Sequence, residues 1–186
     1  MEIGIDMMTD ILTMGKNART ASRSLGKLGT NKKNEVLLAV AEAIRANADY
    51  ILEENHKDVE QGKADGMKSG LLDRLTLTKT RIDGMADGVN QVAGLDDPVG
   101  EVLSMKKRPN GLLIGKKRVP FGVIAVIYES RPNVTLDTFG LCFKTGNAVI
   151  LKGGSDAINS NMAIANVIRE ALKANGIDEN ALQLIE

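Results

Sequence analysis

One cysteine, one histidine and no tryptophan stand among the 186 residues, and each scarcity closes off a class of function. Cys142 alone can form no internal disulfide and supply no multi-cysteine metal site. His56 alone excludes the two-histidine zinc motifs. Two tyrosines and three phenylalanines are too few to interleave a basic surface into a stacking platform for nucleic acid. Lysine plus arginine and aspartate plus glutamate each number 24, for a formal net charge of zero, so no global field draws in nucleic acid or an anionic membrane. No apolar run approaches the roughly 18 residues of a spanning helix. Residues Met1 to Asp10 carry acids where a secretory signal would carry lysines, so the cytoplasm is the expected compartment. With 43% apolar and 26% charged residues, the chain reads as one globular domain, or as two small pieces of a larger protein.

Residues 1–100 read as helices. Leu37, Val40, Ala41, Ile44, Ala48, Ile51 and Leu52 recur at three- and four-residue steps and predict one long helix. Thr30 or Asn31 is placed to cap its start, and the polar Glu53 to His56 follows it. Met8, Ile11, Leu12, Ala18 and Leu25 predict an earlier helix ending near Gly26 and Gly29. Another begins after Thr78, carries Ile82, Met85, Val89 and Val92, and stops near Gly94. Asp96-Asp97-Pro98 marks a turn.

From Glu101 the pattern turns extended. Val102 to Met105 and Leu112 to Lys116 bracket the turn Pro109-Asn110-Gly111 and predict a hairpin over 101–120. The basic clusters Lys106-Lys107-Arg108 and Lys116-Lys117-Arg118 flank that turn and read as a solvated hairpin. Gly122 to Tyr128 is a nearly unbroken β-branched run, which predicts a strand with both faces covered, as in a parallel sheet. Leu136 to Lys144 predicts a short helix closed by Gly146-Asn147. Ala148 to Leu151 predicts a second buried strand, Asn161 to Asn175 a helix stopped by Gly176, and Leu182 to Ile185 a third strand. Strand, helix, strand, helix, strand over 121–186 is half of a doubly wound α/β nucleotide-binding fold. Three parallel strands leave an open edge, so a piece of a larger protein is expected.

Ligands of open parallel sheets sit beyond the carboxyl ends of the strands. Two such ends are Glu129 to Asn133 and Lys152 to Asp156. In the second, Lys152 is a compact cation, Gly153 and Gly154 permit close backbone approach, and Ser155 offers a hydroxyl, a set that suits a ribose or phosphate. The same residues also fit an ordinary strand-to-helix turn, with glycines at positive φ and Ser155 or Asp156 capping the helix. The fingerprint G-x-G-x-x-G is absent. Cys142 lies mid-helix among apolar residues, which makes it a core residue rather than a nucleophile. Asn133 can cap the following helix and Arg131 can pair with Glu129. His56 reads as a surface residue, and Asp73 with Arg74 as a structural pair at a helix end.

Strand, polar turn, helix, Gly146-Asn147, then Ala148 to Lys152 resembles the cofactor-domain entrance of the aldehyde dehydrogenase superfamily. Tyr128 to Thr135 (YESRPNVT), Gly153 to Ala157 (GGSDA), Leu71 to Leu75 (LLDRL), Arg81-Ile82, Val92-Ala93 and Asp97 to Gly100 are similar to its γ-glutamyl phosphate reductase branch. The likeness runs over most of residues 10 to 186. It implies an aldehyde dehydrogenase-like α/β fold: an N-terminal helical region (1–100) packing on the cofactor domain, an oligomerisation-type hairpin (101–120), and the first half of an NADP-binding domain (121–186).

The activity implied is NADPH-dependent reduction of L-glutamyl 5-phosphate to L-glutamate 5-semialdehyde with release of phosphate, in proline biosynthesis. A cysteine thiolate would displace the phosphate, and the family nucleophile belongs to a later domain, so this chain alone is expected to be inactive. Cofactor-binding residues implied are Lys152, Gly153, Gly154 and Ser155. Ser155 stands where a ribose-binding carboxylate often marks NAD enzymes, which favours NADP(H). Asn133 is the implied oxyanion donor and Arg131 the implied substrate-binding cation. A homo-oligomer is implied, with no nucleic-acid or membrane partner. The alternative is a non-catalytic nucleotide-binding or oligomerisation fragment.

Overall fold

The computed structural model describes residues 3–186, with side chains from Ile11 onward. Met8 and the acidic side chains of Met1 to Asp10 lie outside the described side chains. Five helices come first: α1 (Ile3–Leu25), α2 (Thr30–Ala46), α3 (Ala48–Ala64), α4 (Ser69–Leu75) and α5 (Lys79–Gly94). A hairpin, β1 (Val102–Lys107) and β2 (Leu113–Lys117), follows. Then come β3 (Val123–Ile127), α6 (Asn133–Lys144), β4 (Ala148–Lys152), α7 (Ile158–Ala174) and β5 (Leu182–Leu184).

The single long helix expected over Leu37 to Leu52 is two helices. Its apolar stripe is real, and Leu37, Val40, Ala41, Ile44, Ala48 and Ile51 are all buried. The backbone, however, leaves helical geometry at Asn47 (φ −103°, ψ 20°). Asn47 spends its amide on the carbonyl of Ala43, the local competition that makes asparagine a helix breaker. Glu53 to His56 therefore lie inside α3, and not beyond a helix end. Neither Thr30 nor Asn31 caps α2: Gly29 is the cap residue, without a side-chain bond, and the Thr30 hydroxyl donates to Asp97 at 2.9 Å. Thr78 does cap α5, accepting from the Arg81 N–H at 3.1 Å.

The three strands form a parallel sheet in the order β3-β4-β5, with Val123 opposite Ala148 and Val149 opposite Leu182. Both crossovers run through helices, α6 and then α7, as parallel pairing requires. The main core is shared by Leu25 of α1, Ile44 of α2, Ile82 of α5, Phe139 of α6, Leu151 of β4 and Ile164 of α7, and a small second cluster of Val59, Leu75 and Ala157 seats α4. Each such side chain contributes about 1.5–3 kcal/mol through removal from water.

β4 and β5 are buried, but β3 is not the doubly covered strand that its composition suggests. It forms one edge of the sheet, and Ile127 is 85% exposed. The hairpin is exposed at every strand position, including Leu103, Met105, Leu113 and Ile114. Between α6 and β4 the chain reverses at Gly146 (φ 74°), which only glycine adopts without strain.

Candidate active site

The loops that leave β3 and β4 interlock at the carboxyl edge of the sheet. A Cβ on Gly154 would stand 2.2 Å from Ser130 Oγ and 3.0 Å from Ser130 N. One on Gly153 would meet Asn161 Nδ2 at 2.3 Å and the Tyr128 ring at 3.1 Å. Ser130 Oγ also donates to Asp156 at 3.1 Å. Neither glycine has the positive φ that an ordinary turn would have asked of it. Both positions exclude a side chain because neighbours occupy the space, Asn161 of α7 and Tyr128 at Gly153 and Ser130 of the β3 loop at Gly154.

Below Gly153 runs a chain of polar groups. The Tyr128 and Thr135 hydroxyls lie 2.7 Å apart, and Thr135 Oγ1 donates to Asn161 Oδ1 at 2.9 Å. Asn161 is fully buried, and among the described residues its Nδ2 is a buried donor without a partner. Burying an unpaired amide donor costs about 1–3 kcal/mol.

Lys152 is half-buried at the end of β4. Its ammonium makes a single long contact, 3.5 Å to the carbonyl of Ile185, and no carboxylate neutralises it among the described residues. Ser155 is exposed and neutral, and Asp156 is turned to Ser130. Neither Ser155 nor Asp156 caps α7. That task falls to Asp58 of α3, whose carboxylate accepts from the Ser160 N–H at 2.8 Å, the Ser160 hydroxyl at 2.5 Å and the Asn159 N–H at 3.2 Å. An open cation and a neutral hydroxyl at the carboxyl edge of a parallel sheet fit the ribose and phosphate end of a nicotinamide nucleotide.

A cavity of about 390 Å³ opens beside the β3 loop, between it and the α4–α5 corner. Three arginines reach it: Arg74, Arg81 and Arg131. Arg81 is committed, donating to the carbonyls of Asp73 and Thr76 and, at 2.8 Å, to the Asp73 carboxylate. Arg74 stands 3.5 Å from Glu129. The pairs expected from adjacency, Asp73 with Arg74 and Glu129 with Arg131, are therefore exchanged for longer-range ones. On a helix, neighbours in sequence point apart. Among the described residues the Arg131 guanidinium has no hydrogen-bond or ion-pair partner.

Asn133 is the first residue of α6 rather than its cap. Its Nδ2 donates to Asp137 at 3.0 Å, one turn on. Burial raises the pKa of Asp137, against the opposing hydrogen bond from Asn133. Sequence reading missed Asp137, although the i, i+4 spacing from Asn133 was visible. It also missed the pairing of Arg81 with Asp73, eight residues away, and Asp58, a hundred residues from the helix it caps; no local pattern marks either contact.

Cys142 is buried in α6, and burial alone pushes its thiol up to about 11. His56 is a surface residue, 4.0 Å from Glu60. No group of three or more metal-ligating side chains occurs among the described residues, and no described helix is long and apolar enough to cross a membrane.

The family model described as "Aldehyde dehydrogenase family" matches residues 7–186. The chain belongs to the aldehyde dehydrogenase family. Within it, the chain is 59% identical over 179 residues to the curated γ-glutamyl phosphate reductase of Lachnospira eligens, covering 96% of this chain and 43% of the relative. It is 55% identical over 177 residues to that of Caldanaerobacter subterraneus, covering 95% and 43%. The crystal structure of γ-glutamyl phosphate reductase from Thermotoga maritima superposes with a TM-score of 0.92 at 46% identity, over 94% of this chain and 42% of that one. A probable aldehyde dehydrogenase from Listeria monocytogenes, at 15% identity and a TM-score of 0.73, shares the fold. The chain thus spans about 43% of the length of the curated relatives that it matches.

Aldehyde dehydrogenase family members use nicotinamide cofactors.

Proposed function

We propose that the complete protein reduces L-glutamyl 5-phosphate to L-glutamate 5-semialdehyde with NADPH, releasing phosphate, in proline biosynthesis. The observation that carries this reading is the junction between the two loops. Ser130, locked against Gly154 and Asp156 of the nucleotide loop, directly precedes Arg131 at the mouth of the arginine-lined cavity. A site for an anionic substrate therefore adjoins a site for a nucleotide. The γ-glutamyl phosphate reductase relatives favour this over a purely binding or oligomerisation role.

NADPH, when bound, supplies the hydride. Lys152 would hold the adenosine ribose and its 2′-phosphate, with Ser155 leaving room for that phosphate where a carboxylate would repel it. Gly153 and Gly154 keep the loop low enough for the nucleotide to lie on it. Arg131 draws the anionic substrate into the cavity as a planar bidentate donor. Asn133 gives one N–H to Asp137 and keeps a second, which would serve the oxyanion that develops at the acyl carbon. Displacement of phosphate calls for a thiolate. Cys142, buried and with its pKa raised, does not supply it, so that thiol is not among these 186 residues.

We assign the exposed hairpin to a homo-oligomeric interface, since Met105 and Leu113 on one face and Ile114 on the other are exposed apolar side chains that a second subunit would bury. The cytoplasm is the compartment that this reading implies.

The test is NADPH consumption followed by absorbance in the complete protein, with L-glutamyl 5-phosphate generated in place from glutamate and ATP by a kinase. The expected result is consumption that requires the acyl phosphate and falls at least about tenfold on Lys152→Ala. No consumption above background would overturn the proposal.

A further inference from the structure

Resting on the proposed reading of the cavity as a substrate site, we propose that it recognises the α-amino-acid end of the glutamyl group, with Asp137 receiving the α-ammonium and Arg131 the α-carboxylate. The argument is one of charge left over. Two of the cavity's charged groups cancel, because Arg81 holds the Asp73 carboxylate at 2.8 Å. Arg74 is turned toward Glu129 at 3.5 Å. What remains is one cation without a partner, Arg131, and one carboxylate met only by a neutral donor, the Asn133 amide on Asp137 Oδ2 at 3.0 Å. A free cation and an unneutralised carboxylate facing one cavity are the complement of a zwitterion.

Burial makes the ionised form of Asp137 costly in the empty cavity, and an arriving ammonium relieves that cost. A phosphate at the same place would meet the Asp137 carboxylate and be repelled by it. The phosphoryl group is thereby kept off the Asp137 carboxylate itself. Asn133 acts as a positioning residue for Asp137, since its donated N–H fixes which carboxylate oxygen remains open. The cavity lining includes Met85, an apolar surface suited to the methylene stem of the substrate.

The experiment is calorimetric titration of the complete protein with L-glutamate, with glutarate, which lacks the ammonium, and with 4-aminobutyrate, which lacks the α-carboxylate. The parent protein is expected to prefer L-glutamate to either analogue by about 10–100-fold, the range of one charge-assisted hydrogen bond. Asp137→Asn should erase the preference over glutarate while keeping that over 4-aminobutyrate. Arg131→Gln, an exposed position where folding is not at stake, should do the reverse. If the parent protein prefers L-glutamate but both variants retain the full preferences, the charge assignment is overturned and the substrate reading stands. If the parent protein binds none of the three, while NADPH binding persists, the substrate reading fails and the inference with it.

Discussion

Lys33 Nζ lies 2.5 Å from Asp97 Oδ2, with side-chain exposures of 1% and 7%. The same ammonium donates to the carbonyl of Lys144, whose own ammonium reaches Asn34 Oδ1 and the carbonyl of Ala93. A single carboxylate thus ties the start of α2, the end of α6 and the segment beyond α5. Removing one member of such a buried pair leaves the other uncompensated, so Asp97→Asn should cost about 3–5 kcal/mol in urea unfolding. Burial opposes ionisation of Asp97, but bonds from Lys33, the Val99 N–H and Thr30 outweigh it, and its pKa is lowered. The unfolded chain therefore takes up the proton first. The stabilisation is complete above the ordinary aspartate value of about 4 and is lost as pH falls through the lower, native value. Acid titration of the parent should show that loss, and Asp97→Asn should lack that component of it.

Asp58 caps a helix from another segment of the chain. Asp58→Ala leaves the Ser160 and Asn159 N–H groups without their acceptor at the start of α7. We expect a loss of about 2–3 kcal/mol, a cap plus a buried unsatisfied donor, measured by chemical denaturation. Asp58→Asn, which keeps an acceptor oxygen, should lose less.

Gly154→Ala places a methyl group 2.2 Å from Ser130 Oγ. The loops must separate, which we expect to cost about 1–3 kcal/mol and to weaken NADPH binding. Adding Ser130→Ala removes the nearest clashing atom and should restore part of both, although Ser130 N at 3.0 Å keeps the recovery incomplete. Equal behaviour of single and double variants in fluorescence titration would contradict the interlock.

Cys142, with its thiol pushed up to about 11, holds only about one thousandth of its sulfur as thiolate at pH 8. Modification by an aromatic disulfide in the native protein should be at least about 100-fold slower than in urea. Cys142→Ala should leave NADPH affinity unchanged.

Much of this was legible in the residues. The β-branched run at Val123 to Ile127 and the stripe from Ile82 to Val92 gave strand and helix correctly, because local period decides both. Thr78 announced a helix start because a hydroxyl before an apolar repeat has a local use. What escaped depends on distance. Asn47 breaks a helix whose apolar stripe runs on unbroken past it. Asp58 was invisible as the cap of α7, since its partners lie a hundred residues away. Gly153 and Gly154 read as turn glycines, and only the packing of Asn161 on one and Ser130 on the other shows that space, not φ, demands them. At the site, Lys152 and Arg131 stood out as cations at strand ends. Asp137, the carboxylate that completes the cavity, carries no local mark beyond its i, i+4 spacing from Asn133.

The most direct test of the account is fluorescence titration of the complete protein with NADPH and NADH, before and after Lys152→Ala. The account predicts tighter binding of NADPH than of NADH, with the difference largely abolished by the substitution because the unpaired ammonium meets the 2′-phosphate. A preference for NADH, or an NADPH affinity indifferent to Lys152→Ala, would contradict it.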